Sequence, residues 1–283
     1  MKILSVILFL FLIPTLCAKP PGSAKDHDRK RENSQGRNPH NHESRPHKKI
    51  KPTVPKEGSL WRFKSNMKSS SSVVIRAIVG KGWGNGPQHT KSTHSWFANL
   101  PGIKVGIPSN AFDAKGMLIE SVFSDNPTII FEHRSLFNLK ELVPKEPYRI
   151  SFGKCAIRKK GKDITVVCIG YGIIDMLKAY NKLKENDIYP EIIDVRSLYP
   201  LDIKTIINSV KKTKRLLVID PSWKSFGSSS EIISLVVEKI HKLKSLPRKI
   251  THPDSHTPVS IKLENNYYFN SKDIINTIED MVR

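Results

Sequence analysis

From residue 73 onward, apolar positions fall into short runs separated by stretches of helical spacing. Residues 73–79 (VVIRAIV) form a β-branched run broken only by Arg76, which predicts a largely buried strand. Residues 103–107 and 128–131 are two further short strands. Between them residues 111–123 have helical spacing, with Met117, Leu118 and Val122 near one face and Asp125-Asn126-Pro127 as a stop. Past a proline-punctuated stretch the rhythm becomes regular. Strands at 164–170, 191–194 and 215–220 alternate with helices at 173–185, 201–210 and 230–243. Ser271 is placed to cap a last helix through Ile274, Ile275 and Ile278. Near-continuous apolar strands alternating with helices predict an α/β fold with a parallel sheet covered on both faces.

The front of the chain is different. Residues 3–13 are apolar, follow Met1-Lys2 and end at Pro14-Thr15-Leu16-Cys17-Ala18. That run is shorter than the roughly 20 residues a membrane span needs, and it fits a secretory-type leader over residues 1–18. Residues 19–72 lack periodicity and are rich in Pro, Ser, Asn and charge. Fourteen Lys/Arg stand against five Asp/Glu between residues 19 and 70. Such a stretch buries too little apolar surface to offset the entropy of ordering, which predicts a disordered basic tail. The net charge of +21 is therefore read as a solvated tail, with a polyanion-binding arm as the alternative and no nucleic acid expected as partner. His27, His40, His42 and His47 lie in this tail without the cysteines or folded frame of a structural metal site. Beyond Cys17, only Cys155 and Cys168 remain. Both fall in expected strands and form no disulfide framework. The organisation expected is a leader (1–18), a basic tail (19–72), a first folded region (73–142), a linker (143–152) and a second folded region (153–283).

Two places invite a chemical reading. Glycines at 80, 82, 84 and 86 follow the first strand and lead to His89, an arrangement in which α/β enzymes place reactive groups. Spacing alone favours a surface or structural histidine. Gly170-Tyr171-Gly172, with Asp194 ending the next strand, has the outline of a dinucleotide fingerprint. The third glycine is replaced by Asp175, so a tight β–α turn is expected, with Asp194 and Arg196 as a structural polar pair. His252 and His256 read as solvated loop residues.

The order of several motifs adds more. Arg76, Gly86-Pro87-Gln88-His89, Trp96-Phe97-Ala98 and residues 100–105 (LPGIKV) are followed by Asp113-Ala114-Lys115-Gly116, Asp125-Asn126-Pro127, Glu132-His133 and Val143-Pro144. Residues 193–202 (IDVRSLYPLD) and 209–213 (SVKKT) continue the series. In that order the chain resembles the β subunit of the thiamine-diphosphate-dependent 2-oxo acid dehydrogenases, of the pyruvate, branched-chain and acetoin types, from about Val73 onward. The resemblance implies a partial pyrimidine-binding domain over 73–142 and a complete transketolase C-terminal domain over 153–283. It implies oxidative decarboxylation of a 2-oxo acid with acyl transfer to lipoyl. The cofactor would be thiamine diphosphate, shared with an α subunit that also holds magnesium. Further implied partners are a second β subunit and the lipoyl acyltransferase core. His89 matches the family's active-site histidine. The family's pyrimidine-activating glutamate would lie ahead of Val73, where nothing in residues 19–72 matches its surroundings, so the chain alone is expected to be inactive. A structural potassium ion held by backbone carbonyls would fall at Val73, Ser121, Ser124 and Asn126. The family works in the cytoplasm or the mitochondrial matrix, which conflicts with a secretory-type leader. Two other functions stay open: a non-catalytic remnant that keeps the assembly domain, and a secreted basic binding protein.

Overall fold

Strand formation begins where the β-branched run begins. The computed structural model describes residues 72–81 and 84–283; the leader and the basic stretch through residue 71 lie outside the described residues. In β1 (Val74–Val79), Ile75, Ala77 and Val79 face the core, while Arg76 on the other face makes a bidentate ion pair with Glu132 at 2.6 and 2.7 Å. Two short helices follow, α1 (Gly86–His89) and α2 (His94–Ala98), then β2 (Lys104–Gly106). Helix α3 (Ala111–Val122) starts at Asn110, whose side chain accepts from the Asp113 N–H, and leads to β3 (Thr128–His133). Strand β3 lies between β1 and β2, parallel to both.

The second sheet comprises β4 (Ala156–Lys159), β5 (Ile164–Cys168), β6 (Pro190–Asp194), β8 (Leu216–Trp223) and β9 (Arg248–His252), in the order β4-β6-β5-β8-β9. Four of its strands are parallel. Edge strand β4, which follows Cys155 where a strand was expected, runs antiparallel to β6, so the sheet is mixed rather than purely parallel. Residues alternate cleanly between its faces. Ile164, Val166, Cys168, Ile192, Leu217 and Ile219 pack under α4 (Gly172–Glu185) and the last helix, α8 (Ser271–Val282). Val167, Ile193, Leu216 and Val218 pack under α5 (Ile203–Thr213) and α6 (Ser228–Val237). Helix α6 is shorter than expected. The cap of α8 is Asn270 rather than Ser271; its side chain accepts from Asp273 N–H while the Asp273 carboxylate accepts from Asn270 N–H, a reciprocal capping box.

The two folded regions expected as separate share one core. Strand β7 (Ser197–Tyr199), contributed by the second region, pairs antiparallel with β2 and completes the first sheet in the order β1-β3-β2-β7. Val79, Val105, Ile107, Ile129 and Phe131 of the first region belong to the same buried cluster as Val167, Ile169, Val195 and Leu198 of the second. Residues 143–152 are only partly a linker. Ile150 and Phe152 are buried against Met117 and Ile130, with Tyr148 beside them.

Buried charge also crosses the boundary. Arg158 on β4 contacts the carboxylates of Asp113 on α3 and Asp194 on β6, both fully buried. The expected Asp194–Arg196 pair is corrected. The Arg196 guanidinium reaches Asp113 at 3.0 Å, and only the Arg196 backbone N–H donates to Asp194, at 3.3 Å. The Ser109 hydroxyl donates to Asp194. Burial pushes the Asp194 carboxyl above its ordinary pKa despite Arg158, so its remaining partners matter. Replacing Arg158 by Met takes the cation from buried Asp194 and leaves buried Asp113 with Arg196 alone, and urea denaturation is expected to show a loss of about 3–5 kcal/mol. The exposed pair Lys178–Asp175 sets the contrast: Lys178→Met is expected to change stability by less than about 0.5 kcal/mol. A loss below about 1 kcal/mol for Arg158→Met would contradict a clasp across the two regions.

Candidate active site at the seam between the two sheets

The carboxyl ends of β1, β3, β5, β8 and β9 bring polar and aromatic side chains to one seam. Open α/β sheets place ligand sites at such strand ends. His89 closes α1 there and is half-buried. The Thr90 hydroxyl donates to the Gly86 carbonyl and locks the turn that carries it. Thr90 and Ser92 then pass into the interior.

The fully buried histidine of this segment is His94. Its Nε2 lies 2.9 Å from Asp220 Oδ1 on β8, and neither side chain is exposed to solvent. Asp220 Oδ2 accepts from the Ser229 N–H at 2.9 Å, at the start of α6, where the helix N-terminus also favours negative charge. Burial alone would push the Asp220 carboxyl up. His94 first, with the Ser229 N–H and Ser222 after it, more than offsets that, and the Asp220 pKa lies below the ordinary value. The adjoining Ser95 and Ser228 hydroxyls meet at 2.9 Å, and the Trp96 and Trp223 rings lie 6.0 Å apart across the same boundary.

Two more imidazoles are buried beside this pair. His133 ends β3. Its Nδ1 accepts from the Ser135 N–H, which leaves the ring proton on Nε2 in the neutral form. That nitrogen has no hydrogen-bond partner and packs against Gly80, where a Cβ would lie 1.9 Å away. Its ring also lies against Tyr171, with centroids 4.0 Å apart. Burial, with the charges of His252 and His94, lowers the His133 pKa to about 3. His252, expected in a solvated loop, is instead enclosed by Tyr267, Tyr268 and Phe269, and burial lowers its pKa to about 4. His256 is exposed, as expected.

The remaining sequence-derived positions divide. Gly170 and Gly172 form a tight β–α turn packed on Ile107 and Ile219, where a Cβ would come within 2.9 and 2.8 Å; this leaves no room for a pyrophosphate. Cys168 is buried in β5, and Cys155 lies just before β4, its thiol pushed up to about 12 by burial; both are free. Val73, Ser121, Ser124 and Asn126 gather at the α3-to-β3 turn. Val73 O accepts from Thr128 N–H at 2.8 Å and Ser121 O from Ser124 N–H at 3.1 Å, while Asn126 O accepts from the Ser124 and Thr128 hydroxyls. Asn126 Oδ1 is buried there without a hydrogen-bond partner among the described residues, which fits an oxygen-ligated cation. His94 and Asp220 do not stand out in the sequence, and His133 enters there only through the Glu132-His133 motif, without a role. The closest signal was Asp220 at the end of the apolar run 215–220, and nothing in the chain links it to a histidine 126 residues away.

The buried imidazoles set an acid limit. An unfolded histidine titrates near ~6.5, above the folded values of about 3 for His133 and about 4 for His252. Below pH ~6.5 the unfolded chain therefore binds more protons than the folded one. The stability from keeping both rings neutral is complete above that pH and is lost progressively as pH falls toward the folded values. Each ring contributes up to ~1.4 kcal/mol per pH unit. Urea unfolding between pH 7 and 4.5 is expected to give a shallower pH dependence for His252→Gln, by about one proton. Equal slopes in the two proteins would contradict the assignment.

Comparison with known proteins follows this geometry. The family model for the transketolase pyrimidine binding domain matches residues 59–140, and that for the transketolase C-terminal domain matches residues 153–274. The chain is 34% identical over 212 residues to acetoin:2,6-dichlorophenolindophenol oxidoreductase subunit beta of Bacillus subtilis, covering 75% of this chain and 62% of that protein. It is 34% identical over 218 residues to pyruvate dehydrogenase E1 component subunit beta of Bacillus subtilis, covering 76% and 67%. The chain thus spans about two thirds or slightly less of the length of these relatives. Among solved structures, a split gene transketolase described as an inactive beta4 tetramer shares the fold, with a TM-score of 0.63 at 20% identity over 75% of this chain and 67% of that one. Both domain matches in family order, and 34% identity to a β subunit covered over 67% of its length, make this chain a member of the thiamine-diphosphate-dependent 2-oxo acid dehydrogenase β-subunit family.

Proposed function

We propose that this chain serves as the β subunit of a 2-oxo acid dehydrogenase. The reaction would be thiamine-diphosphate-dependent oxidative decarboxylation of a 2-oxo acid, with acyl transfer to a lipoyl group. The observation that carries the reading is likeness to named β subunits over more than 210 residues, with Gly86-Pro87-Gln88-His89 inside the span that matches the pyrimidine binding domain. Thiamine diphosphate, when bound, supplies the nucleophilic carbon and the electron sink.

The described residues fit the acyl-transfer side of that chemistry. His89 stands half-buried on a turn at the strand ends, where an imidazole donates or accepts a proton near neutral pH. Nothing among them is assigned to the aminopyrimidine ring. The reading requires an α subunit that binds the diphosphate and its magnesium, a second β subunit and an acyltransferase core, and a segment that supplies the pyrimidine-activating glutamate. Potassium would be held by the carbonyls of Val73, Ser121, Ser124 and Asn126, with Asn126 Oδ1 the buried oxygen there that lacks a donor among the described residues. Residues 1–18 are read as a secretory-type leader.

Assay of labelled carbon dioxide release and lipoyl acylation, with pyruvate and branched-chain 2-oxo acids, tests the function. Co-expression with the α subunit, with a segment carrying the family's pyrimidine-activating glutamate also supplied, is expected to give turnover, and the chain alone none. His89→Ala is expected to lower acyl transfer by ~10²–10⁴-fold. Turnover indifferent to His89→Ala would overturn its role, and no turnover with the α subunit and that segment would favour a non-catalytic assembly role. For the cation, thermal unfolding is expected at higher temperature in potassium than in sodium at equal ionic strength, a difference that Asn126→Ala removes. Identical midpoints in the two salts would contradict the site.

A further inference from the structure

The turn that carries His89 is held very differently on its two sides. Ahead of it, Gly84 and Gly86 adopt positive φ of +68° and +56°, in the left-handed region where glycine is permissive and offers no side chain to anchor. Their nearest neighbour is the backbone and side chain of Val259, an exposed residue. Behind it the chain is fixed. Thr90 and Ser92 are buried, and five residues beyond His89 the imidazole of His94 is fully enclosed against Asp220.

Asp220 is itself immobilised. It sits on central strand β8 and receives the Ser229 N–H from α6. Between the segment after His89 and the second sheet is a cavity of only about 10 Å³, lined by Thr90, Ser92, Ser222, His252 and Thr257 among others. That is room for about one water molecule, so the segment has little slack in which to shift. Ser92 Oγ, buried on its wall, has no protein partner.

We infer that His94 and Asp220 are positioning residues for His89: a clamp reaching from the second sheet sets where the turn, and therefore its imidazole, stands. The inference rests on the proposed acyl-transfer role of His89 for its functional consequence, though the clamp itself is a property of the fold. Neither residue is assigned contact with substrate or cofactor; both act through the turn. The alternative is that the pair only stabilises the seam, and the two differ in what happens to His89.

The test uses the full chain with labelled histidine. Asp220→Asn keeps the shape of the side chain and removes its charge. His94→Gln is the second variant, retaining an amide that reaches toward Asp220 should Asp220→Asn fold poorly. Both are expected to move or broaden the His89 ring resonance and to change its rate of carbethoxylation, with the circular dichroism spectrum retained. With the α subunit and the glutamate-bearing segment present, acyl transfer is expected to fall by ~10–10²-fold, as for a displaced catalytic group. In the His89→Ala background the same substitution should cause no further loss, because both changes act through one group. An unchanged His89 resonance, or an additive loss in the double variant, would overturn the inference. If the unmodified protein shows no turnover with the α subunit and that segment, the catalytic reading fails, while the His89 resonance still decides the clamp.

Discussion

A buried contact between a carboxylate and an imidazole is the polar fastening at the centre of the seam between the two parts of this molecule. His94 enters from a short helix of the first region, Asp220 from the central strand of the second, and water reaches neither. A buried carboxylate that loses its partner is costly, so any other arrangement of the two regions that keeps Asp220 buried without His94 is disfavoured. The pair therefore fixes the seam in one register. A second set of buried charges, Asp113 and Asp194 around Arg158 with Arg196 on Asp113, holds the same boundary near β4. Each set draws its groups from both sides.

Apolar packing acts in the same direction. The first sheet takes its fourth strand, β7, from the second region, and Phe131 shares a cluster with Ile169 and Leu198. A three-residue strand is weak alone, but here its partner β2 is already enclosed. The family's division into a pyrimidine-binding and a C-terminal domain thus describes sequence order better than mechanical independence. What the second region gives the candidate site is placement, because the segment behind His89 is packed against β8 and β9.

Much of this was legible in the sequence, for physical reasons that can be named. Strands β5, β6 and β8 are buried on both faces, so their apolar runs are nearly continuous. Helix α3 was legible from its spacing and its Asp-Asn-Pro stop. Strand β9, read RKITH, was not, because an edge strand that begins Arg-Lys and holds one large aliphatic residue, Ile250, lacks an apolar signature. Strand β7 is too short for any periodicity. His252 was misread because its neighbours in sequence are Pro, Asp and Ser; the rings that bury it arrive from residues 267–269. The Asp194–Arg196 pairing failed likewise, since the stronger partner, Arg158, lies 36 residues away. His89 was legible through family resemblance, whereas His94, the residue that anchors its turn, depends on a contact spanning 126 positions.

The central claim is that the two sheets form one cooperative body through this buried seam, and calorimetry of the full chain tests it most directly. One endotherm over the folded region, with calorimetric and van't Hoff enthalpies in agreement, is the result expected. Two separable transitions, assignable by hydrogen exchange to β1–β3 and to β5–β9, would contradict it.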